Sequence, residues 1–288
     1  MVSILQFGAT GQLAREMLAR GQGAVTALSR AEVDLADARA VEQAIANSNA
    51  ELVVNAAAYN AVDKAETEEA LAFAVNAEAP GAMARACARR GIPLVHVSTD
   101  CVFDGMKAGA WTEDDAPNPL GAYGHSKLAG ERAVLESGAD AVVLRTSWVF
   151  SPFGRNFLQI MLHLGRTQPR VRVVADQHGK PTCAGDIADF ILAAAPRLTA
   201  REAGLFGLFH FANPDPTTRF GFAEAIFEGA GIETPMVPIP TSEFPTPAAR
   251  PLNAVLDCTK LERTYGVRLR PWREGLAETL AAMKAEGA

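Results

Sequence analysis

Tyr123 and Lys127 stand four residues apart in the segment Tyr-Gly-His-Ser-Lys. On a helix that spacing stacks both side chains on one face, one turn apart. A phenol ordinarily ionises near ~10, too high for acid–base work at neutral pH. An ammonium one turn away stabilises the phenolate and is expected to lower that value. The pair therefore reads as a poised proton donor and acceptor for a carbonyl or an alcohol. Alone it is a weak signal, because Tyr-x-x-x-Lys also arises on solvated helices. Ser98-Thr99-Asp100 adds to it. A hydroxyl there can hydrogen-bond the oxygen that Tyr123 would protonate and stabilise charge developing on it. Spacing does not decide which of the two hydroxyls does so.

A glycine loop supplies the second partner for this chemistry. Ile4-Leu5-Gln6-Phe7 reads as a buried strand and runs straight into Gly8-Ala9-Thr10-Gly11-Gln12-Leu13-Ala14, then into a helical pattern reaching Arg20. A strand, a glycine turn and a helix in that order bring backbone N–H groups to a pyrophosphate at the helix N-terminus. The spacing is Gly-x-x-Gly-x-x-Ala, with Ala14 as the small residue at the helix–strand contact. This reads as a dinucleotide site. After the second strand, where an NAD-selective fold places an acidic residue, the chain has Ser29-Arg30. An arginine there can pair with a 2′-phosphate, so NADPH is the expected cofactor, with NADH still usable.

The elements that must hold these residues alternate. Strands are expected at Ala24–Leu28, Glu51–Asn55, Pro93–Ser98 and Ala141–Arg145. Helices are expected at 38–47, opened by Asp37, and at 66–90, with another carrying Tyr123 and Lys127. Repeated βα units predict an α/β, Rossmann-like, doubly wound parallel sheet whose ligands gather beyond the strand C-termini. The Gly8 loop, Ala56–Tyr59 and Ser98–Asp100 should share that crevice. After Ser147 prolines cluster at 235, 238, 240, 245, 247 and 251, which suggests a smaller, loop-rich C-terminal lobe. Residues 184–195 and 205–212 read as a helix and strand that rejoin the sheet. The division is 1–150 with 183–213 for the dinucleotide, and 151–182 with 214–288 for the substrate.

Composition narrows the function classes. A net charge of -6 over 288 residues describes an acidic globular chain, and no basic stripe points to nucleic acid. Cys87, Cys101, Cys183 and Cys258 are scattered without metal spacing, which suits reduced thiols and a cytoplasmic setting. No apolar run approaches ~18 residues, and no targeting segment is expected ahead of the first strand.

The chain resembles the extended short-chain dehydrogenases and, within them, the dTDP-4-dehydrorhamnose reductase family, over essentially its whole length. The matching segments are Gly-Ala-Thr-Gly-Gln at 8–12, Val-Asn-Ala-Ala-Ala-Tyr-Asn-Ala-Val-Asp-Lys-Ala-Glu at 54–66, Ser-Thr-Asp-Cys-Val-Phe at 98–103 and Tyr-Gly-His-Ser-Lys-Leu-Ala-Gly-Glu at 123–131. They continue with Arg-Thr-Ser-Trp-Val-Phe at 145–150, Asp-Gln-His-Gly-Lys-Pro-Thr at 176–182 and Pro-Thr-Pro-Ala-Ala-Arg-Pro at 245–251. The Arg-Thr-Ser-Trp and Pro-Thr-Pro segments are the more particular to this reductase.

The resemblance implies a triad of Thr99, Tyr123 and Lys127, with hydride delivery to C4 of a 4-keto sugar and dTDP-L-rhamnose as product. It implies cofactor contacts from Gly8, Thr10, Gly11, Gln12, Leu13, Arg30, Asp34, Leu35, Ala56, Ala57, Ala58, Tyr59 and Asn76, besides Tyr123 and Lys127. It implies substrate contacts from Asp100, Cys101, Val102 and Phe103, from Trp148 against the deoxysugar, and from Asn156 and Arg250 at the diphosphate. Two departures stand out: Cys101 where a tyrosine is usual, and Asn60 where a threonine is usual. Mg2+, known for some relatives, finds no carboxylate cluster here, so no metal site is expected, and the chain is read as a monomer or homodimer without membrane insertion. Two competing readings remain, another sugar-nucleotide enzyme such as a 4-epimerase, and a non-catalytic subunit resembling the regulatory partner of methionine adenosyltransferase.

Overall fold

The computed structural model describes residues 1–285. Its first half alternates strand and helix: β1 Ile4–Phe7, α1 Gln12–Arg20, β2 Val25–Leu28, α2 Ala38–Ala46 and β3 Leu52–Asn55. Short helices α3 Val62–Ala65 and α4 Glu69–Phe73 lead through a π-helical turn at Ala74–Glu78 into α5 Ala79–Arg90. Then come β4 Leu94–Thr99, α6 Ala122–Leu135 and β5 Ala141–Thr146. The remainder is β6 Val149–Phe150, α7 Phe157–Thr167, β7 Val171–Val174, β8 His178–Gly179, β9 Thr182–Cys183, α8 Ala184–Thr199, β10 Gly207–His210, β11 Thr217–Thr218, α9 Arg219–Ala230, β12 Met236–Ile239, α10 Thr259–Tyr265 and α11 Trp272–Ala285.

Six strands form one parallel sheet in the order β10-β5-β4-β3-β1-β2. β1, β3 and β5 are buried along their whole length, as continuous apolar runs in a two-faced parallel sheet must be, whereas edge strand β2 is only partly covered. One face packs against α1, α8 and α10 through Met17, Ile187, Ile191 and Leu261. The other packs against α2 and α5 through Val41, Ile45, Met83 and Cys87. The winding reverses between β1 and β3, so the crevice lies over their C-terminal ends, where ligands of such sheets bind. The expected parallel sheet is present, and β10 rejoins it beside β5.

The helix expected as one run over 66–90 is broken. Pro80 has no N–H for the carbonyl of Asn76 and its ring crowds that carbonyl, so the turn opens into a π segment. Beyond Ser147 the chain forms three two-stranded sheets, β6-β9, β7-β12 and β8-β11. A further core gathers there from α7, α9 and α11, with Leu158, Leu162, Phe222, Phe227 and Trp272.

Candidate active site

The crevice is built by tight backbone approaches. Gly8, at φ +97°, brings the first loop so close to the residues after β3 that a Cβ there would sit 3.1 Å from that of Ala57. Gly11 precedes α1 as its N-cap without any side-chain hydrogen bond, which leaves the first-turn N–H groups facing the crevice. Thr10 and Gly11 are exposed, whereas the Leu13 side chain is buried in the sheet core, so Leu13 has only its backbone to offer a ligand. Gln12 spans outward: its amide nitrogen donates to the Val149 carbonyl and its oxygen accepts from Asn156.

α6 carries Tyr123 and Lys127 on one face, as their spacing predicts. Three glycines let it approach. A side chain at Gly121 would overlap the Glu66 carboxylate, which caps the helix by accepting from the Ala122 N–H at 2.9 Å. At Gly124 it would overlap the Cys101 carbonyl, and at Gly130 the Asn76 carbonyl that Pro80 leaves unbonded. Asn76, expected at the cofactor, forms a clasp. Its side chain accepts from Tyr59 N–H at 2.8 Å and donates to Tyr59 C=O at 2.9 Å and to Ser126 Oγ at 3.0 Å. Ser126 in turn donates to the Tyr123 carbonyl. The loop after β3 and the helix bearing Tyr123 are thereby tied together.

The strand alternation separates the two hydroxyls left open by the sequence. Ser98 donates into the buried Glu131–Arg145 pair, whose ionic contact is 2.6 Å with both side chains almost fully enclosed. Thr99 lies on the crevice side, donating to Asp100 Oδ1 at 2.9 Å and accepting from the Cys101 N–H at 3.1 Å. Burial pushes the Tyr123 phenol above its ordinary value, and the nearby Thr99 hydroxyl opposes that rise. Lys127, 2% exposed, donates to the Val97 carbonyl at 2.7 Å, and burial holds its ammonium down to about 8 against the attraction of Glu131. The expected lowering of the phenol by Lys127 is therefore outweighed: desolvation favours the neutral form of both groups.

The residues expected to touch substrate have the following surroundings. Val102 and Phe103 are fully buried, Phe103 stacking on Trp111 at 4.3 Å, so their side chains belong to the core. Asn156 caps α7 through Gln159 N–H and donates to Gln12, Ser151 and Phe153, which occupies both halves of its amide. Asp100 is buried, and desolvation raises its carboxyl above the usual range. Cys101 is half-buried beside it, its thiol pushed up to about 12 by burial and by Asp100. Arg250 reaches Asp63 Oδ1 at 2.9 Å, bringing the Pro-Thr-Pro segment onto the Val-Asp-Lys segment. On the far side Arg30 is exposed and only loosely paired with Asp34 at 3.8 Å, while Ser29 gives its hydroxyl to Glu32. Leu35 is partly buried against the α2–α5 core, and Ala56 and Ala58 are half-covered at the crevice edge. Among the described residues, no group of three or more His, Cys, Asp or Glu side chains is placed to hold a metal ion.

A family model described as the RmlD substrate binding domain matches residues 2–285, and a dTDP-4-dehydrorhamnose reductase of Sinorhizobium fredii is 42% identical over 97% of each chain. The chain belongs to the dTDP-4-dehydrorhamnose reductase family. Solved members superpose closely. The Clostridium acetobutylicum reductase has a TM-score of 0.92 and 35% identity, covering 98% of this chain and 99% of its own. The Bacillus anthracis reductase, solved in complex with NADP, has a TM-score of 0.90 and 31% identity, covering 98% and 99%.

Within this family frame one crevice residue escaped the sequence reading. Arg219, the first residue of α9, lies with its guanidinium carbon 3.7 Å from the centre of the Trp148 ring. Nothing in its surroundings, Thr-Thr-Arg-Phe, distinguishes it from a surface arginine, and only the fold brings it to Trp148. Trp148 itself sits at φ +46°, a backbone conformation rare for a bulky residue, and a side chain at Gly179 would strike its indole 2.5 Å away.

Proposed function

We propose that this protein reduces the 4-keto group of dTDP-4-dehydro-L-rhamnose to give dTDP-L-rhamnose, a nucleotide-sugar precursor of surface polysaccharide, with NADPH as the preferred donor. The observation that carries the reading is the convergence of Thr99, Tyr123 and Lys127 beside an uncapped α1 N-terminus in a chain of this family. The glycine cradle fits a dinucleotide: Gly8 and Gly11 leave space where a side chain would obstruct, and the free N–H groups of α1 suit a pyrophosphate. When bound, the reduced nicotinamide supplies the hydride.

The protein's own residues manage the proton and the developing charge. Reduction needs an acid, and burial keeps Tyr123 as the neutral phenol that can donate. Thr99 offers a hydroxyl on the crevice side to orient the same oxygen. As Tyr123 gives up its proton, the Lys127 ammonium on the same face stabilises the phenolate left behind. Lobes divided as 1–150 with 183–213 and 151–182 with 214–288 suit this reading, since the sheet cores and the α7–α9–α11 core draw mainly on different parts of the chain. A cytoplasmic location belongs to this reading, and the four free thiols support it. Among the described residues no helix is long and apolar enough to cross a membrane.

The test is NADPH oxidation followed at 340 nm with the dTDP-4-keto sugar. A reductase consumes about one cofactor per sugar, whereas an epimerase would leave the cofactor pool unchanged. Tyr123→Phe should lower kcat by ~10²–10⁴-fold with NADPH affinity nearly constant. A variant keeping more than about a tenth of wild-type turnover would remove Tyr123 from the acid role.

A further inference from the structure

Arg219 stands apart from the cations Arg250, Lys127 and Arg145. Arg250 spends its guanidinium on Asp63 and the Ala248 carbonyl. Lys127 donates to Val97, and Arg145 is locked on Glu131. The Arg219 guanidinium takes part in no hydrogen bond or close ion pair among the described residues. Its guanidinium carbon lies over the Trp148 ring, 3.7 Å from the centroid, and 5.2 Å from that of Phe157, a contact that holds the group in place while its N–H donors make no hydrogen bond among the described residues. Its charged form is held down to about 10 by burial and by Arg250, with only the Asp100 carboxylate and Cys101 pulling the other way. A half-buried guanidinium without an acceptor has lost part of its hydration, and an anionic ligand would compensate that loss.

A second cluster of arginines gives a contrast. The broad groove of about 720 Å³ between α1, α8 and α11 also holds arginines, but there Arg20 meets Asp189, and Arg270 meets Asp186 and Glu278. Those groove arginines are neutralised by carboxylates, whereas the Arg219 guanidinium takes part in no ion pair among the described residues and has Arg250 as an electrostatic neighbour. An anionic group placed before both guanidinia would relieve their mutual repulsion.

We propose that Arg219, oriented by its stack on Trp148, binds the diphosphate of the nucleotide-sugar substrate, so that Trp148 acts through the arginine rather than offering both its faces to the sugar. This rests on the functional reading above, with Asn156 replaced by Arg219 at the diphosphate. The guanidinium's planar fork suits two phosphoryl oxygens, and Arg250 adds the second positive charge.

Thymidine diphosphate, without the sugar, is the probe. Isothermal titration of the NADPH-loaded enzyme should show binding, and Arg219→Ala should weaken it by about 10–100-fold, the loss of charge-assisted hydrogen bonds. Arg219→Lys, which keeps the charge but loses the fork and the flat stack, should recover only part. In turnover the Ala variant should raise KM for the nucleotide sugar by a similar factor with a smaller change in kcat. NADPH affinity should be unchanged in all variants, which also reports that they are folded. Equal thymidine diphosphate affinity in wild type and Arg219→Ala overturns the assignment, even if the melting temperature falls. Wild-type enzyme that binds no thymidine diphosphate overturns the substrate reading itself, a different failure.

Discussion

Lys127, rather than Tyr123, is the group that titrates near the working pH. Burial holds its ammonium down to about 8, whereas the phenol is pushed above its ordinary value. The groups around the ammonium are the Val97 carbonyl, His96 and Glu131, with Glu131 already committed to Arg145. The charged form exists below about 8 and is lost as pH rises through that value. kcat/KM for NADPH, which reports the free enzyme, should therefore fall above about pH 8, and that limb should vanish in Lys127→Met. Stability moves the opposite way. The folded state resists protonation of Lys127 more than the unfolded chain does, so stability rises between about 8 and the ordinary lysine value of 10.5. A profile flat to pH 9.5 would sink this assignment. Cofactor choice is a weaker, solvent-exposed matter. Arg30 is free to meet a 2′-phosphate, but Ser29 is engaged by Glu32, whose carboxyl the two Ser29 donors hold below the usual range. The preference for NADPH should be modest and screened by salt. Arg30→Ala should shrink the ratio of kcat/KM for NADPH over NADH, and Glu32→Gln should widen it. A ratio that neither variant moves would separate this loop from selectivity. The residues proposed for the acid–base chemistry could be picked out in the sequence because Tyr-x-x-x-Lys and the strand-end hydroxyls depend on local spacing alone. Arg219, Glu66 and the clasp role of Asn76 were not, because each acts across contacts between distant segments.

At the level of elements, α6 is positioned by what its glycines leave out. Gly124 and Gly130 face the Cys101 and Asn76 carbonyls, and Asn76 is presented by the π segment that Pro80 causes. Strand–helix alternation was readable from apolar runs and caps such as Asp37, which accepts from Arg39 and Ala40. The broken 66–90 helix was not, because an alanine-rich periodicity continues through the break and only the packing of α6 uses it. Val102 and Phe103 looked like pocket residues by their place in a motif; the stack on Trp111 makes them core. Gly130→Ala should force α6 away from Asn76. The expected cost is about 1–3 kcal/mol, the range for overpacking a close contact. Because Asn76 also holds Tyr59 and Ser126, NADPH affinity and kcat should fall together. Urea denaturation measures the first effect and steady-state kinetics the second. A variant as stable as wild type would mean that the helix relaxes without disturbing the clasp.

For the whole molecule, two ligands should meet in one crevice from different sides. On the proposed reading the dinucleotide meets the loops after β1, β2 and β3, all over one half of the parallel sheet. The residues proposed for the nucleotide sugar, Trp148, Arg219 and Arg250, belong to the turn after β5, the start of α9 and the Pro-Thr-Pro segment. The second set rests on the core of Leu158, Phe222 and Trp272, which was legible only as a change in proline texture, since its short strands lack the apolar runs of the central sheet. If the lobes serve separate ligands, hydrogen exchange should resolve them. NADPH should slow exchange at 8–14 and 56–60, where α1 N–H groups gain an acceptor. Thymidine diphosphate should slow it at 147–150, 217–222 and 248–252, with little change at 8–14. Each ligand at about a hundred times its Kd should add about 2.7 kcal/mol of stability, so both effects are within reach of melting curves. Thymidine diphosphate that protected the β1–α1 loop and left 217–222 unchanged would place both ligands on the sheet half. That result would remove the division of labour between the lobes while leaving the Tyr123 chemistry intact.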